Sequence, residues 1–141
     1  MTSVAIVGGS GYTGGELLRL LHFHPAVEGT QITSRSQAGR YVHSVHPNMR
    51  GVSRLQFVHP DNLDACDVIF LALPHGTAAR EIERYAALAP PIIDLSADFR
   101  LDSADVYAQW YGETHLAPEW LPHFVYGLPE RNREALREAH Y

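Results

Sequence analysis

The chain opens with a short apolar run, Val4-Ala5-Ile6-Val7, which breaks into Gly8-Gly9-Ser10-Gly11 and resumes as Tyr12-Thr13-Gly14-Gly15-Glu16-Leu17-Leu18. The apolar run reads as a buried strand, the glycines as a tight turn, and the leucine-bearing stretch as one face of a helix. A strand that enters a helix through a glycine turn aims the unpaired N-terminal amides of that helix at whatever lies over the turn. Such an arrangement is a phosphate-binding device. Within the Gly8-x-x-Gly11-x-x-Gly14 spacing, Gly8 lets the strand turn sharply, Gly11 offers no side chain to block a pyrophosphate, and Gly14 lets the helix pack close to the strand. A glycine turn can also be a mere connection, and it is the flanking strand and helix that favour nucleotide binding.

Composition narrows the field. With 141 residues the chain can bury one core, so one domain, spanning 1–141, is expected. A net charge of −5 with scattered basic residues gives no basic field for nucleic acid. No apolar run approaches the ~20 residues of a membrane helix, and the first residues resemble a core strand more than a leader, so a soluble cytoplasmic protein without membrane partners is expected. The single cysteine, Cys66, excludes an internal disulfide and suits a reducing compartment. All eleven basic residues are arginine, so the Gly-Lys-Ser/Thr of a P-loop is absent. The Tyr-x-x-x-Lys pair of short-chain reductases and sugar epimerases, which resemble this chain in the glycine turn, cannot be supplied either.

Further along, the first helix is expected over 12–22, with Leu17, Leu18, Leu20 and Leu21 as its apolar face and Pro25 beyond its end. A second strand is expected over 29–34, in the β-branched setting of Thr30, Ile32 and Thr33. Its end delivers Ser34-Arg35-Ser36 beside the glycine turn. A Rossmann unit that prefers NAD places an acidic residue there, about 20 residues past the glycines, to hold the ribose 2′-hydroxyl. Hydroxyls and a guanidinium suit a 2′-phosphate instead, which points to NADP over the weaker alternative that Arg35 is an ordinary surface arginine in a loop.

Residues 37–54 read as an irregular loop in which Arg50 is a candidate contact for an anion. His43-x-x-His46 lacks the further ligands of a metal site, and no metal is expected. A short strand at 55–58 and a turn at 60–63 precede the continuous apolar run Val68-Ile69-Phe70-Leu71-Ala72-Leu73, which suits a parallel strand covered on both faces. Pro74-His75-Gly76 ends it, Thr77 is the expected N-cap, and Ala78, Ile82, Tyr85, Ala86 and Ala89 form a helical stripe that Pro90-Pro91 stops. The strand Ile92-Ile93-Asp94-Leu95 then leads into Ser96-Ala97-Asp98. Ser34, His75, Ser96 and Asp98 would gather at the C-terminal ends of parallel strands, where open α/β sheets bind ligands. Capping and turn chemistry is an equal reading for Ser96 and Asp98. A helix over 103–110, a loop held by Trp110 and Trp120, an extended stretch over 125–130 and a final helix capped by Asn132 and running to about 140 complete the pattern. The fold class is α/β, a Rossmann-type doubly wound, mostly parallel sheet with helices on both faces.

These residues resemble the N-terminal part of the family of N-acetyl-γ-glutamyl-phosphate reductase and the α-aminoadipyl-phosphate reductase linked to an amino-group carrier protein. The resemblance covers essentially the whole chain in six ordered blocks: Val7 to Leu17, Thr33-Ser34-Arg35, His46-Pro47-Asn48-Met49-Arg50-Gly51, Leu71-Ala72-Leu73-Pro74-His75-Gly76, Asp94-Leu95-Ser96-Ala97-Asp98-Phe99-Arg100, and Tyr126-Gly127-Leu128-Pro129-Glu130. The third block looks more like the lysine-pathway and bifunctional members. The resemblance implies NADPH-dependent reduction of an acyl phosphate to a semialdehyde through a cysteine thioester. It implies that Gly8, Ser10, Gly11, Tyr12 and Thr13 line the pyrophosphate, Ser34, Arg35 and Ser36 the 2′-phosphate, and Leu73, Pro74, His75, Gly76 and Ser96 the nicotinamide side. It also implies a carrier-linked or free acyl-phosphate substrate and a homo-oligomeric parent enzyme. The family's Gly-Cys block and catalytic histidine have no counterpart in these residues, and Cys66 stands at the wrong end of its strand with acidic neighbours. The chain is therefore expected to be the cofactor-binding part alone, with the catalytic and dimerisation domain beyond Tyr141. An aspartate-semialdehyde dehydrogenase-like domain and a non-catalytic nucleotide-binding module are the alternatives.

Overall fold

The computed structural model describes residues 1–89 and 91–141. Four strands, β1 (Thr2–Val7), β2 (Val27–Ile32), β3 (Val68–Leu71) and β4 (Ile92–Asp94), form one sheet in the order β2-β1-β3-β4. Every pairing is parallel. The second strand thus lies two residues earlier than its β-branched residues predict. Thr33 leaves the ladder for a single parallel bridge with Val58, and the predicted strand over 55–58 is reduced to that bridge and one between Tyr41 and Gln56.

The helices are α1 (Tyr12–His22), α2 (Thr77–Ala86), α3 (Ala104–Tyr111) and α4 (Pro129–Arg137). Val4 to Val7 are all buried, and Ala5, Ile6 and Val7 feed two separate cores in alternation. Ala5 and Val7 join Ile69, Leu71 and the α2 residues Ala78, Ile82 and Tyr85, whereas Ile6 joins Leu18 of α1, Ile32, Val42, Met49 and Phe57. Helices therefore cover both faces, as a doubly wound sheet requires. On α1 the apolar face is narrower than four leucines. Leu18 is buried with Leu17 and Leu21 beside it, but Leu20 turns to solvent, two residues past Leu18 and off that face.

The long 37–54 segment is not a free loop. Two 3-10 turns, Val42–Ser44 and Pro47–Met49, seat Val42 and Met49 in the second core, and His46 reaches the glycine turn. Arg50 stays exposed.

Two predicted caps are corrected. Gly76, not Thr77, is the N-cap of α2, in the left-handed region at φ 79° that a threonine would resist. Asn132 does not cap α4: Leu128 does, and Asn132 lies within the helix at a kink, its side-chain amide donating to the Tyr126 carbonyl. Ser103 is the N-cap of α3, accepting from the Val106 amide. Pro90, the first of the two prolines expected to stop α2, lies outside the described residues. After α4 the chain returns to the sheet, where the His140 carbonyl accepts from the Ile92 amide of β4.

Candidate functional site

The C-terminal ends of β1 and β3 adjoin, and the chain winds away from them in opposite directions, through α1 on one face and α2 on the other. That switch point is where a parallel sheet opens a crevice. Gly8 turns there at φ 82°, and a Cβ on it would run into the Ala72 backbone. A Cβ on Gly14 would stand 2.6 Å from Gly9 Cα, so α1 crosses the turn at a distance only glycine permits. Gly11 behaves in the opposite way. A Cβ there would find only the Gly8 carbonyl, at 3.7 Å, and would project into the open volume above the turn. Gly11 is the N-cap of α1 in extended geometry with no side-chain cap, which leaves the leading amides beside the exposed Tyr12 and Thr13 open. Gly8 and Gly14 take the steric roles their spacing predicts, and Gly11 leaves the space beside it open. Two further ones carry constraints the motif does not encode: Gly9 packs against Ile32 and Gly15 against the His46 ring. His46 Nε2 lies 2.7 Å from the Gly9 carbonyl, so the imidazole braces the turn.

Ser34 and Ser10 meet. The Ser34 hydroxyl donates to Ser10 Oγ at 3.0 Å and accepts from the Gln37 amide at 3.2 Å, and Ser34 itself is buried. It ties the turn after β2 to the glycine turn, whereas Arg35 and Ser36 are exposed. The Arg35 guanidinium reaches across to Glu81 of α2, with Nη2 at 2.6 Å from Oε1, and the other Glu81 oxygen accepts from the Tyr85 hydroxyl at 2.6 Å. Burial, followed by that hydrogen bond, drives the Tyr85 phenol well above its ordinary range. No carboxylate follows β2 in sequence, yet the fold delivers one there from 46 residues away.

On the β3 side, Leu73 packs against the core while Pro74 and His75 are exposed. The Asp98 carboxylate, fully buried, accepts from the Gly76 amide at 2.8 Å and the Ala79 amide at 2.9 Å. An acid held at a helix N-terminus by two amides is capping chemistry, one of the two readings open for Asp98, exerted at long range. His75 Nδ1 lies 3.1 Å from the same carboxylate and Nε2 lies 3.0 Å from the Tyr107 hydroxyl. Because a carboxylate only accepts, Nδ1 donates to it, which leaves Nε2 to pair with the phenol. Burial, with the Asp98 charge next, pushes the Tyr107 phenol up to about 12. Buried His115 accepts at Nδ1 from the Ala117 amide and donates from Nε2 to the Asp98 carbonyl at 2.6 Å. Ser96 is a turn residue: its amide and hydroxyl donate to Asp94, and its oxygen accepts from the Asp98 amide. Burial raises the Asp94 carboxyl.

Sequence reasoning placed His75 and Asp98 near each other but did not anticipate Glu81, Tyr107 or His115, whose only signal is their helical or loop position far along the chain. Cys66 is half-buried just before β3, at the end of the strand remote from the crevice, with Sγ 3.4 Å from the Val68 carbonyl. Burial pushes its thiol up, and Asp67 adds to the rise. Among the described residues no cluster of three or more histidines, cysteines or carboxylates could hold a metal ion, and no helix is long and apolar enough to cross a membrane.

The doubly wound sheet and the open first turn of α1, standing where the chain winds away from β1 and β3 to opposite faces, define a dinucleotide-binding domain. The semialdehyde dehydrogenase NAD-binding domain model matches residues 3–139, and the chain belongs to that family. Over all of its length it is 57% identical to a putative LysW-L-2-aminoadipate 6-phosphate reductase of Thermomicrobium roseum, of which it covers 40%. It is 55% identical, over 99% of its length, to an N-acetyl-gamma-glutamyl-phosphate reductase of Azotobacter vinelandii, of which it covers 41%. The chain thus spans about two fifths of the length of these relatives. An aspartate semialdehyde dehydrogenase of Candida albicans, solved with NADP, shares the fold at a TM-score of 0.58 and 17% identity, with 83% of this chain and 41% of that one covered.

Proposed function

We propose that this chain is the cofactor-binding part of an NADPH-dependent acyl-phosphate reductase. Its substrate would be an N-blocked γ-glutamyl phosphate or a δ-aminoadipyl phosphate, free or tethered to an amino-group carrier protein, and its product the semialdehyde of arginine or lysine biosynthesis. Relatives named for both reductions stand at nearly equal identity, which supports the shared chemistry, the reduction of a carboxyl phosphate, over either single substrate.

The observation that carries the reading is the Ser34–Ser10 hydrogen bond, which holds the Arg35 turn against the glycine turn. The open first turn of α1 suits a pyrophosphate and the exposed guanidinium suits a 2′-phosphate, and the two are held side by side. In this reading Gly8, Ser10, Gly11, Tyr12 and Thr13 cradle the pyrophosphate. Arg35 and Ser36 take the 2′-phosphate while Ser34 positions them. Leu73, Pro74, His75, Gly76 and Ser96 border the nicotinamide, with His75 fixed by Asp98 and Tyr107. The bound cofactor supplies hydride. Cys66 is too remote from the crevice, and its thiol too high, to be the acyl-accepting nucleophile, which would come from the further length that the relatives have.

Titrating the chain with NADPH and NADH, followed by nucleotide fluorescence or calorimetry, tests the assignment. Binding of NADPH tighter than about a millimolar and clearly preferred over NADH is expected. Weaker binding, or no preference, overturns it. Arg35→Asp should weaken NADPH more than NADH, and equal loss removes Arg35 from the 2′-phosphate site. Acyl-phosphate reduction by the 141 residues alone would overturn the placement of the nucleophile.

A further inference from the structure

Glu81 brings a carboxylate from α2 to the turn after β2, where the neighbouring sequence has none. Its carboxylate is four-fifths buried, unlike the half-exposed Arg35 guanidinium it binds. One oxygen takes Arg35 and the other the Tyr85 hydroxyl, and Tyr85 is itself fully buried in the α2 core. The carboxylate is thus anchored from behind by a rigid side chain, whereas the arginine comes from an exposed turn and can move. An anion offered to Arg35 meets a guanidinium that is already occupied, beside a fixed negative charge.

We propose that Glu81 is the resident anion of the Arg35 subsite, which occupies the guanidinium in the free protein and competes with a phosphomonoester for it, so that it sets how strongly the domain discriminates between 2′-phosphorylated and unphosphorylated dinucleotides. The proposal rests on the reading that Arg35 meets the 2′-phosphate. Its physical content is a like-charge penalty. A phosphomonoester carries between one and two negative charges near neutral pH, and close to an immobile carboxylate each of them costs binding free energy. A ribose hydroxyl brings no charge and can donate to the same carboxylate, so the penalty falls on one dinucleotide only.

The test is Glu81→Gln, which removes the charge but keeps an acceptor for the Tyr85 hydroxyl. NADPH and NADH affinities of wild type and variant are compared at low and high salt. Glu81→Gln should tighten NADPH about three- to tenfold at low salt, leave NADH unchanged or weaker, and lose most of its advantage at high salt. Unchanged or weakened NADPH binding, or equal gains for both dinucleotides, overturns the proposal. Tyr85→Phe keeps the charge and frees it from its anchor. It should change NADPH affinity less than Glu81→Gln does, and an equal gain would assign the effect to helix packing and overturn the charge argument. Arg35→Asp separates the two levels: if it leaves the NADPH-to-NADH ratio untouched, the reading of Arg35 itself fails, whatever Glu81 does.

Discussion

The Asp98 carboxylate holds the His75 imidazole at 3.1 Å while its two oxygens also receive the Gly76 and Ala79 amides, so one buried side chain sets both the start of α2 and the orientation of the ring beside the crevice. Asp98→Asn replaces one accepting oxygen by an amide that cannot accept and removes the charge at the helix N-terminus. It should destabilise the fold by about 1–3 kcal/mol, read as a lower urea midpoint at unchanged slope. A variant as stable as wild type would mean that water or a neighbouring group can replace the cap.

Gly11 and Gly14 should separate binding from folding. Gly14→Ala puts a methyl against the backbone of Gly8 and Gly9, which cannot yield, and should cost about 2–4 kcal/mol of stability. Gly11→Ala meets no obstacle inside the protein, so its thermal midpoint should move little. Its methyl stands in the volume assigned to the pyrophosphate, and NADPH affinity should fall at least about tenfold. Parallel thermal melts and titrations of the two variants check the pair.

Asp67 and Asp94 should respond to acid with opposite sign. Hydrogen bonds from the Ser3 amide and hydroxyl hold the exposed Asp67 carboxyl below its ordinary value, so its contribution is present above that value and is lost as pH falls. Burial raises Asp94, so its charged form costs stability at neutral pH and protonation relieves that cost. In melts between about pH 7 and pH 3, the advantage of wild type over Asp67→Asn should shrink towards acid, whereas wild type should gain on Asp94→Asn. The same slope for both variants would contradict these assignments.

Cys66 should be a slow thiol. Half-buried and raised, it should react with a disulfide reagent near neutral pH more slowly than a free cysteine peptide, and Cys66→Ala should leave NADPH affinity unchanged. Fast, stoichiometric modification would contradict its placement away from the crevice.

The sequence carries the parts of this fold that depend on neighbours along the chain. The period of the leucines, the glycine spacing and the apolar run over 68–73 place α1, the turn and β3 to within a residue or two, because each follows from local backbone geometry and one-sided burial. The steric demands on Gly8 and Gly14 are equally legible, since steric freedom is a property of the residue itself. Glu81, Tyr107 and His115 could not be read in this way. Each acts on a partner brought near by a crossover, and nothing within a few positions of Glu81 marks it as the partner of Arg35. Ser34 illustrates the middle case: its arrival beside the glycine turn was foreseen, but its hydroxyl is consumed by Ser10 and Gln37 instead of being offered outward. The cap of α2 failed as a local prediction for the same reason, because Asp98 supplies from the turn after β4 what Thr77 would have supplied from the next residue.

Gly9 against Ile32 and Gly15 against His46 have a consequence for anyone who redesigns the domain. A transplant of the segment after β2, aimed at cofactor preference, would begin beside Ile32, the side chain on which the floor of the turn rests. A donor sequence bulkier than isoleucine at position 32 would lift the turn before its new recognition residues met any ligand. Positions 15 and 46 behave as two halves of one fitted joint. Alanine at 15, the better helix former, becomes admissible only if the residue at 46 shrinks with it. Such a joint can be exchanged as a pair and resists exchange one residue at a time.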